Sequence, residues 1–184
     1  MRVLVATKPK SGTHLMGNIL QNLGISNSNF LLFSNHFEDY EGFYIYDGIR
    51  YSRRLKAPLT SPAKNIKDNS YVLAHIFYDE ENAEIFKDFK KINIFRDNDE
   101  VRKSANRFRD QSNWDLTDEM LNKIDLWSTE PGILNIRFED MINKDIETID
   151  KIQIHLFGQI KFDSKYIIEK SLRDDSYSKS SLRD

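Results

Sequence analysis

Two short stretches of this 184-residue chain carry residue types that could grip an anion. The first, Thr7-Lys8-Pro9-Lys10-Ser11-Gly12-Thr13, sets a full positive charge on Lys10 beside the hydroxyls of Ser11 and Thr13 and a turn-forming Gly12. A loop of this kind, opening a helix, aims unpaired backbone N–H groups and the positive helix end at a phosphate. It is not the Walker nucleotide loop, where the lysine follows the last glycine; here Lys10 precedes Ser11-Gly12-Thr13. Taken alone, the segment also reads as a turn with a solvated lysine. The second stretch places Arg96 ahead of Ser104, and a guanidinium with a hydroxyl suits one phosphate through charge-assisted hydrogen bonds worth about 1.5–3 kcal/mol each. Its plainer reading pairs Arg96 with Asp99 or Glu100 and leaves Ser104 on the surface.

Such residues act only where rigid elements hold them. Val3-Leu4-Val5-Ala6 is apolar on both faces, as the central strand of a parallel sheet must be, and it delivers the chain into the Lys10 loop. Leu15, Met16, Ile19, Leu20 and Leu23 then recur on one face, which predicts a helix closed by Gly24. Further strands are expected at Phe30-Leu31-Leu32-Phe33, Tyr71-Val72-Leu73-Ala74-His75, Ile92-Asn93-Ile94-Phe95 and Ile133-Leu134-Asn135-Ile136. Helices are expected over about 80–89, from Asn98 onward, from a Thr117 cap through Trp127, and over about 144–157 and 164–171.

The segment from Phe43 to Tyr51 resembles a hairpin turning at Asp47-Gly48. Residues 53–67, basic and carrying two prolines, read as a loop. Strands alternating with helices predict an α/β protein, a three-layer α/β/α fold with a central, mainly parallel sheet and a P-loop-like phosphate-binding loop. Arg96 should then leave its strand at the carboxyl edge of the sheet, the edge that also carries the Lys10 loop and where such sheets take ligands. One domain is expected over 1–184, with residues 174–184 a mobile tail.

Composition closes off several classes. Hydrophobic residues at 39% and aromatics at 12% exclude a disordered chain. The 27 Lys+Arg against 29 Asp+Glu leave a net charge of -2, which argues against nucleic acid as a partner. With no Cys, disulfides, thiolate nucleophiles and Cys-based metal centres are excluded. The apolar start is too short for a signal-peptide core and no run approaches the span of a membrane helix, so a soluble cytoplasmic protein without stable membrane insertion is expected.

Four segments, in order along the chain, resemble motifs of the sulfotransferases that use 3′-phosphoadenosine-5′-phosphosulfate (PAPS). Pro9-Lys10-Ser11-Gly12-Thr13 is similar to their phosphosulfate loop, Pro-Lys-Ser-Gly-Thr-Thr-Trp, with His14 and Leu15 in place of the last Thr and Trp. Leu73-Ala74-His75 stands where the family carries its catalytic histidine. Arg96-Asp97 continuing to Ser104 is similar to the 3′-phosphate motif Arg-Asp-Pro-x-Asp-x-x-x-Ser, with Asn98 for Pro and Glu100 for Asp. Ile136-Arg137-Phe138-Glu139-Asp140-Met141 resembles a Tyr-Glu-Asp-Leu/Met segment, with Phe138 keeping the ring and losing the hydroxyl. Arg183 stands where the family's basic segment over the 3′-phosphate would begin.

The resemblance implies in-line transfer of a sulfuryl group from PAPS to an acceptor hydroxyl or amine, with PAP as product and no metal. Lys10 would stabilise the leaving phosphate and His75 would take the acceptor proton, as a neutral imidazole can. Lys10, Ser11, Gly12, Thr13, His14, Arg96, Ser104, Phe138 and Arg183 would hold the nucleotide. His75 also reads as a core histidine at a strand end, and His14 as a group acting on the acceptor. His36, near Glu38 and Asp39, has no further His or Cys for a metal, and His155 reads as structural or surface.

The acceptor would be a small molecule, a sugar or a lipid. The resemblance puts its pocket among the aromatics of 40–51 and the cations Arg50, Arg53, Arg54 and Lys56, with Trp114 a further contact; those rings equally suit a hairpin packed on the core. Two other readings stand beside this one: a non-catalytic 3′-phosphonucleotide-binding protein of the same fold, and a P-loop nucleotide or small-molecule kinase, which the position of Lys10 disfavours.

Overall fold

Strand β1 (Arg2–Thr7) is buried along its length after Arg2, and this apolar run on both faces puts it inside the sheet. It pairs in parallel with β5 (Ser70–His75) on one side and β6 (Lys90–Phe95) on the other. Strand β2 (Ser26–Phe33) joins β5, and β7 (Leu134–Arg137) joins β6, again in parallel. Beyond β2 the chain adds an antiparallel hairpin, β3 (Asp39–Tyr46) and β4 (Ile49–Lys56), so the order is β4-β3-β2-β5-β1-β6-β7. The computed structural model describes residues 1–33, 39–46, 49–56, 59–107 and 116–174.

Side chains alternate across each strand, so β1 feeds two cores. Val3 and Val5 face α1 (Thr13–Asn22), α6 (Phe138–Ile142), α7 (Ile146–Phe157) and α8 (Ser164–Asp174), in a cluster with Met16, Ile19, Met141, Ile152 and Ile168. Leu4 and Ala6 face α2 (Thr60–Asn65), α3 (Glu80–Ile85) and a 3-10 turn at Leu126–Thr129, packing with Leu59, Ala63, Phe86 and Trp127. A smaller cluster of Val101, Ala105, Leu116 and Leu121 joins α4 (Asn98–Asn106) to α5 (Asp118–Asp125). The result is the three-layer α/β/α architecture with a mainly parallel sheet that the alternation of elements predicts.

Three local expectations change. Much of the stretch expected as a loop over 53–67 is regular: Arg53 to Lys56 belong to β4, paired with β3 from Asp39↔Lys56 to Tyr46↔Ile49, and α2 covers Thr60–Asn65. Cross-strand pairing made that strand, which its run of cations does not advertise. The α2 segment has a signal after all, since Leu59, Ala63 and Ile66 are buried at helical spacing. The helix expected over about 80–89 ends at Ile85, because Phe86 and Phe89 turn into the core. Asp174 closes α8 and so is not tail, while the rest of the expected tail, including Arg183, lies outside the described residues, as do His36, Asp47-Gly48 and Trp114. Among the described residues, no helix is long and apolar enough to cross a membrane.

Candidate active site

The parallel registers bring the sequence-predicted residues to one edge. Ala6 pairs with Ala74 and Thr7 with Ile94, so the loop leaving β1 emerges between His75, at the end of β5, and Arg96, just past β6. Phe33 lies opposite His75 on β2, and Arg137, opposite Phe95 on β7, leads straight into Phe138. Along the carboxyl ends of β2, β5, β1, β6 and β7 the row therefore runs Phe33, His75, the Lys10 loop, Arg96 and Phe138.

The loop turns through two left-handed residues, Lys10 at φ 61° and Gly12 at φ 86°. Only glycine fits at the second: a Cβ there would lie 2.6 Å from Phe138 Cδ2 and 3.1 Å from Met141 Cε. A turn of this shape presents backbone N–H groups to an anion. It opens α1, which has no side-chain cap, whereas α3, α4, α5 and α7 are capped by Asp79, Asp97, Thr117 and Asp145. The first N–H groups of α1 are thus left to the loop and whatever it holds. Ser11 Oγ and Thr13 Oγ1 are buried with no partner among the described residues, and so is Arg96 Nε. Such atoms cost about 1–3 kcal/mol each when left unpaired, so these three are donors that a ligand at this edge could complete. Lys10 is half-buried, and that desolvation lowers its pKa to about 8, leaving it mostly cationic at neutral pH.

His75 is buried, with Nδ1 2.7 Å from the Thr7 carbonyl and its ring centroid 5.1 Å from that of Phe33. A carbonyl only accepts, so Nδ1 carries the proton and Nε2 keeps a lone pair. Burial lowers the His75 pKa to about 4; the bond to Thr7 opposes this, and the charges of His14 and Lys10 add to it. The ring is therefore neutral across the physiological range, with its tautomer fixed. His14 is exposed on the first turn of α1.

Arg96 turns back onto the loop: Nη1 donates to the Lys10 carbonyl at 2.8 Å and the guanidinium sits 4.2 Å from the centre of the Phe138 ring. Its contact with Glu100 is long, at 3.9 Å, and Asp99 pairs with Arg102 instead. Ser104 is half-buried on α4, the helix that begins two residues after Arg96, and makes no hydrogen bond to it. Leu15 is buried in the core under α1, so this position offers no ring to a nucleotide. His155, on α7, has Nε2 buried without a partner, far along the chain from this edge.

Sequence reasoning missed Lys8 and Asp125. Lys8 is 2% exposed, and its ammonium donates to Asp125 Oδ2 at 2.7 Å and Asn98 Oδ1 at 2.8 Å. The signal was parity: Lys8 continues the series Leu4, Ala6 and so falls on the α5 side, opposite the site. Nothing around Asp125 in the sequence singled it out.

No protein-family model matches the chain, and no curated protein matches it in sequence. In three dimensions it is similar to the crystal structure of mouse sulfotransferase SULT7A1 complexed with PAP, with a TM-score of 0.55 and 16% identity over 100% of this chain and 67% of that one. The fold is of the sulfotransferase type. At this identity the likeness speaks for the fold alone, and the site rests on its own geometry.

Proposed function

We propose that the protein is a PAPS-dependent sulfotransferase, moving a sulfuryl group to an acceptor hydroxyl or amine by in-line displacement. The observation that carries this reading is the set of buried, unpartnered donors around Lys10 (Ser11 Oγ, Thr13 Oγ1 and Arg96 Nε) beside a buried neutral histidine. The donor set suits a nucleotide with two anionic ends. Lys10, Ser11, Gly12, Thr13 and His14 would hold the 5′ side, and Arg96 and Ser104 the 3′-phosphate, with Phe138 as the apolar wall under Arg96. Bound PAPS would supply the sulfuryl group and leave as PAP. The Lys10 ammonium and the loop N–H groups would meet the charge that gathers on the leaving phosphate, which selectively lowers the barrier. His75 Nε2 would accept the acceptor's proton, its lone pair held in place by the Nδ1 bond to Thr7. Phe33, against the His75 ring, places apolar surface where an acceptor would lie, as a small molecule, sugar or lipid acceptor needs.

The test is a thermal-shift titration with PAP, with ADP, and with ATP plus magnesium. The protein should be stabilised most by PAP, without magnesium, and Arg96→Ala should lose that preference. Preference for ATP with magnesium would instead support a kinase. A PAP preference without sulfate transfer to any acceptor in a broad panel would support a non-catalytic binder.

A further inference from the structure

The loop has a second lysine, and its surroundings differ from those of Lys10. Lys8 is buried beneath the edge, its ammonium shared between Asp125 on α5 and Asn98, the first residue of α4. Asn98 passes the contact on: its amide donates at 3.1 Å to both Asp118 Oδ1 and Asn122 Oδ1 on α5. Arg102 closes the cluster, donating to Asp118 at 2.9 Å and Asp99 at 2.7 Å. The α4–α5 joint is therefore held by bonds of its own, and Lys8 ties that joint to the loop, beside the bond that Arg96, just ahead of α4, makes to the Lys10 carbonyl. Helix α4 carries Ser104 and starts two residues after Arg96, while the loop carries Lys10, Ser11 and Thr13.

We infer that Lys8 is a positioning residue that fixes the distance between the loop and α4, and through it the discrimination of a 3′-phosphorylated nucleotide from one without the 3′-phosphate. This rests on the nucleotide reading above. The ammonium touches neither end of the ligand site; it sets how far apart the two ends sit. A buried ammonium shared between two acceptors suits the role, because it tolerates little displacement before its bonds are lost. Holding donors in register ahead of binding spares the ligand that ordering.

The experiment measures the dissociation constants of PAP and of adenosine 5′-monophosphate, with melting temperature, for wild type, Lys8→Met and Lys8→Met/Asp125→Leu. Wild type should prefer PAP. Lys8→Met should bind the monophosphate as before and lose roughly tenfold or more of the PAP preference, the effect of one well-made ionic contact. Lys8→Met also strands the Asp125 carboxylate, so it should melt lower. The double variant removes that stranded charge and should recover melting temperature without recovering the preference. Recovery of both would show that Lys8 only stabilises the fold, and would overturn the inference. An unchanged preference in Lys8→Met would overturn it too, leaving the nucleotide reading standing. A wild-type protein that does not distinguish the two nucleotides would overturn the reading and the inference together.

Discussion

The two sides of the Lys10 loop treat polar groups in opposite ways. On the α1 and α6 side, Ser11 Oγ, Thr13 Oγ1 and Arg96 Nε are buried and unbonded. On the α4 and α5 side, the Lys8 ammonium, the Asn98 amide and the Arg102 guanidinium each have two partners, and among the described residues Asp125 Oδ1 alone is left over. Both sides are made from the same few turns of chain. The difference shows which is scaffold and which is site: a network closed upon itself holds shape, while donors kept open through folding lower stability unless something outside the chain completes them.

The largest effect that would test this contrast is on turnover. His75→Ala should bind PAP as wild type does while sulfate transfer falls on the order of 10²–10⁴-fold, as when a general base is lost. Undiminished transfer in that variant would remove His75 from the base role and turn attention to His14.

Next comes the pH dependence of stability. His75 binds its proton with a pKa of about 4 in the folded chain against 6.5 when solvated, so the unfolded state takes up the proton first as pH falls. Stability contributed by the neutral buried ring is complete above 6.5 and is lost between 6.5 and about 4, a fall of about 3 kcal/mol. Urea unfolding of wild type and His75→Gln at neutral and acidic pH should show this component in wild type alone; parallel losses in the two proteins would contradict the burial of a neutral histidine.

The smallest effect separates open from closed donors most directly. Ser11→Ala removes a hydroxyl that has no partner among the described residues, so the unliganded chain should keep its stability or gain up to about 1 kcal/mol. Its affinity for PAP should nevertheless weaken. A clear loss of unliganded stability would mean that the hydroxyl is already satisfied within the fold.

The layers and the loop were legible because their signals are local. The run Val3 to Ala6 is buried on both faces, and the helix after the loop shows its core stripe from Leu15 to Leu20. Arg96 was legible as the residue that leaves a plain strand, whereas His75 and Phe138 were legible only through the motifs their segments resemble. What escaped depends on contacts between distant parts of the chain. Lys8 meets Asp125 across 117 residues, and no local pattern encodes that meeting. Strand β4 exists through its register with β3, and α6 is only five residues long, too short to show a period. The turn of Arg96 onto the Lys10 carbonyl was likewise invisible, because it depends on how a side chain settles after the sheet has formed.

The hairpin that ends the sheet has one more bearing on the protein. Strand β4 is the terminal strand, eight residues long, and among the described residues its outer backbone rim has no neighbour in the sheet order. Such a rim invites a second molecule to zip on and extend the sheet. Arg50, Arg53, Arg54 and Lys56 give that strand four like charges, so two copies brought rim to rim would repel each other before their amides could meet. A run of like charge in the strand that ends the sheet is one of the ways a sequence disfavours pairing of such a rim with a copy of itself.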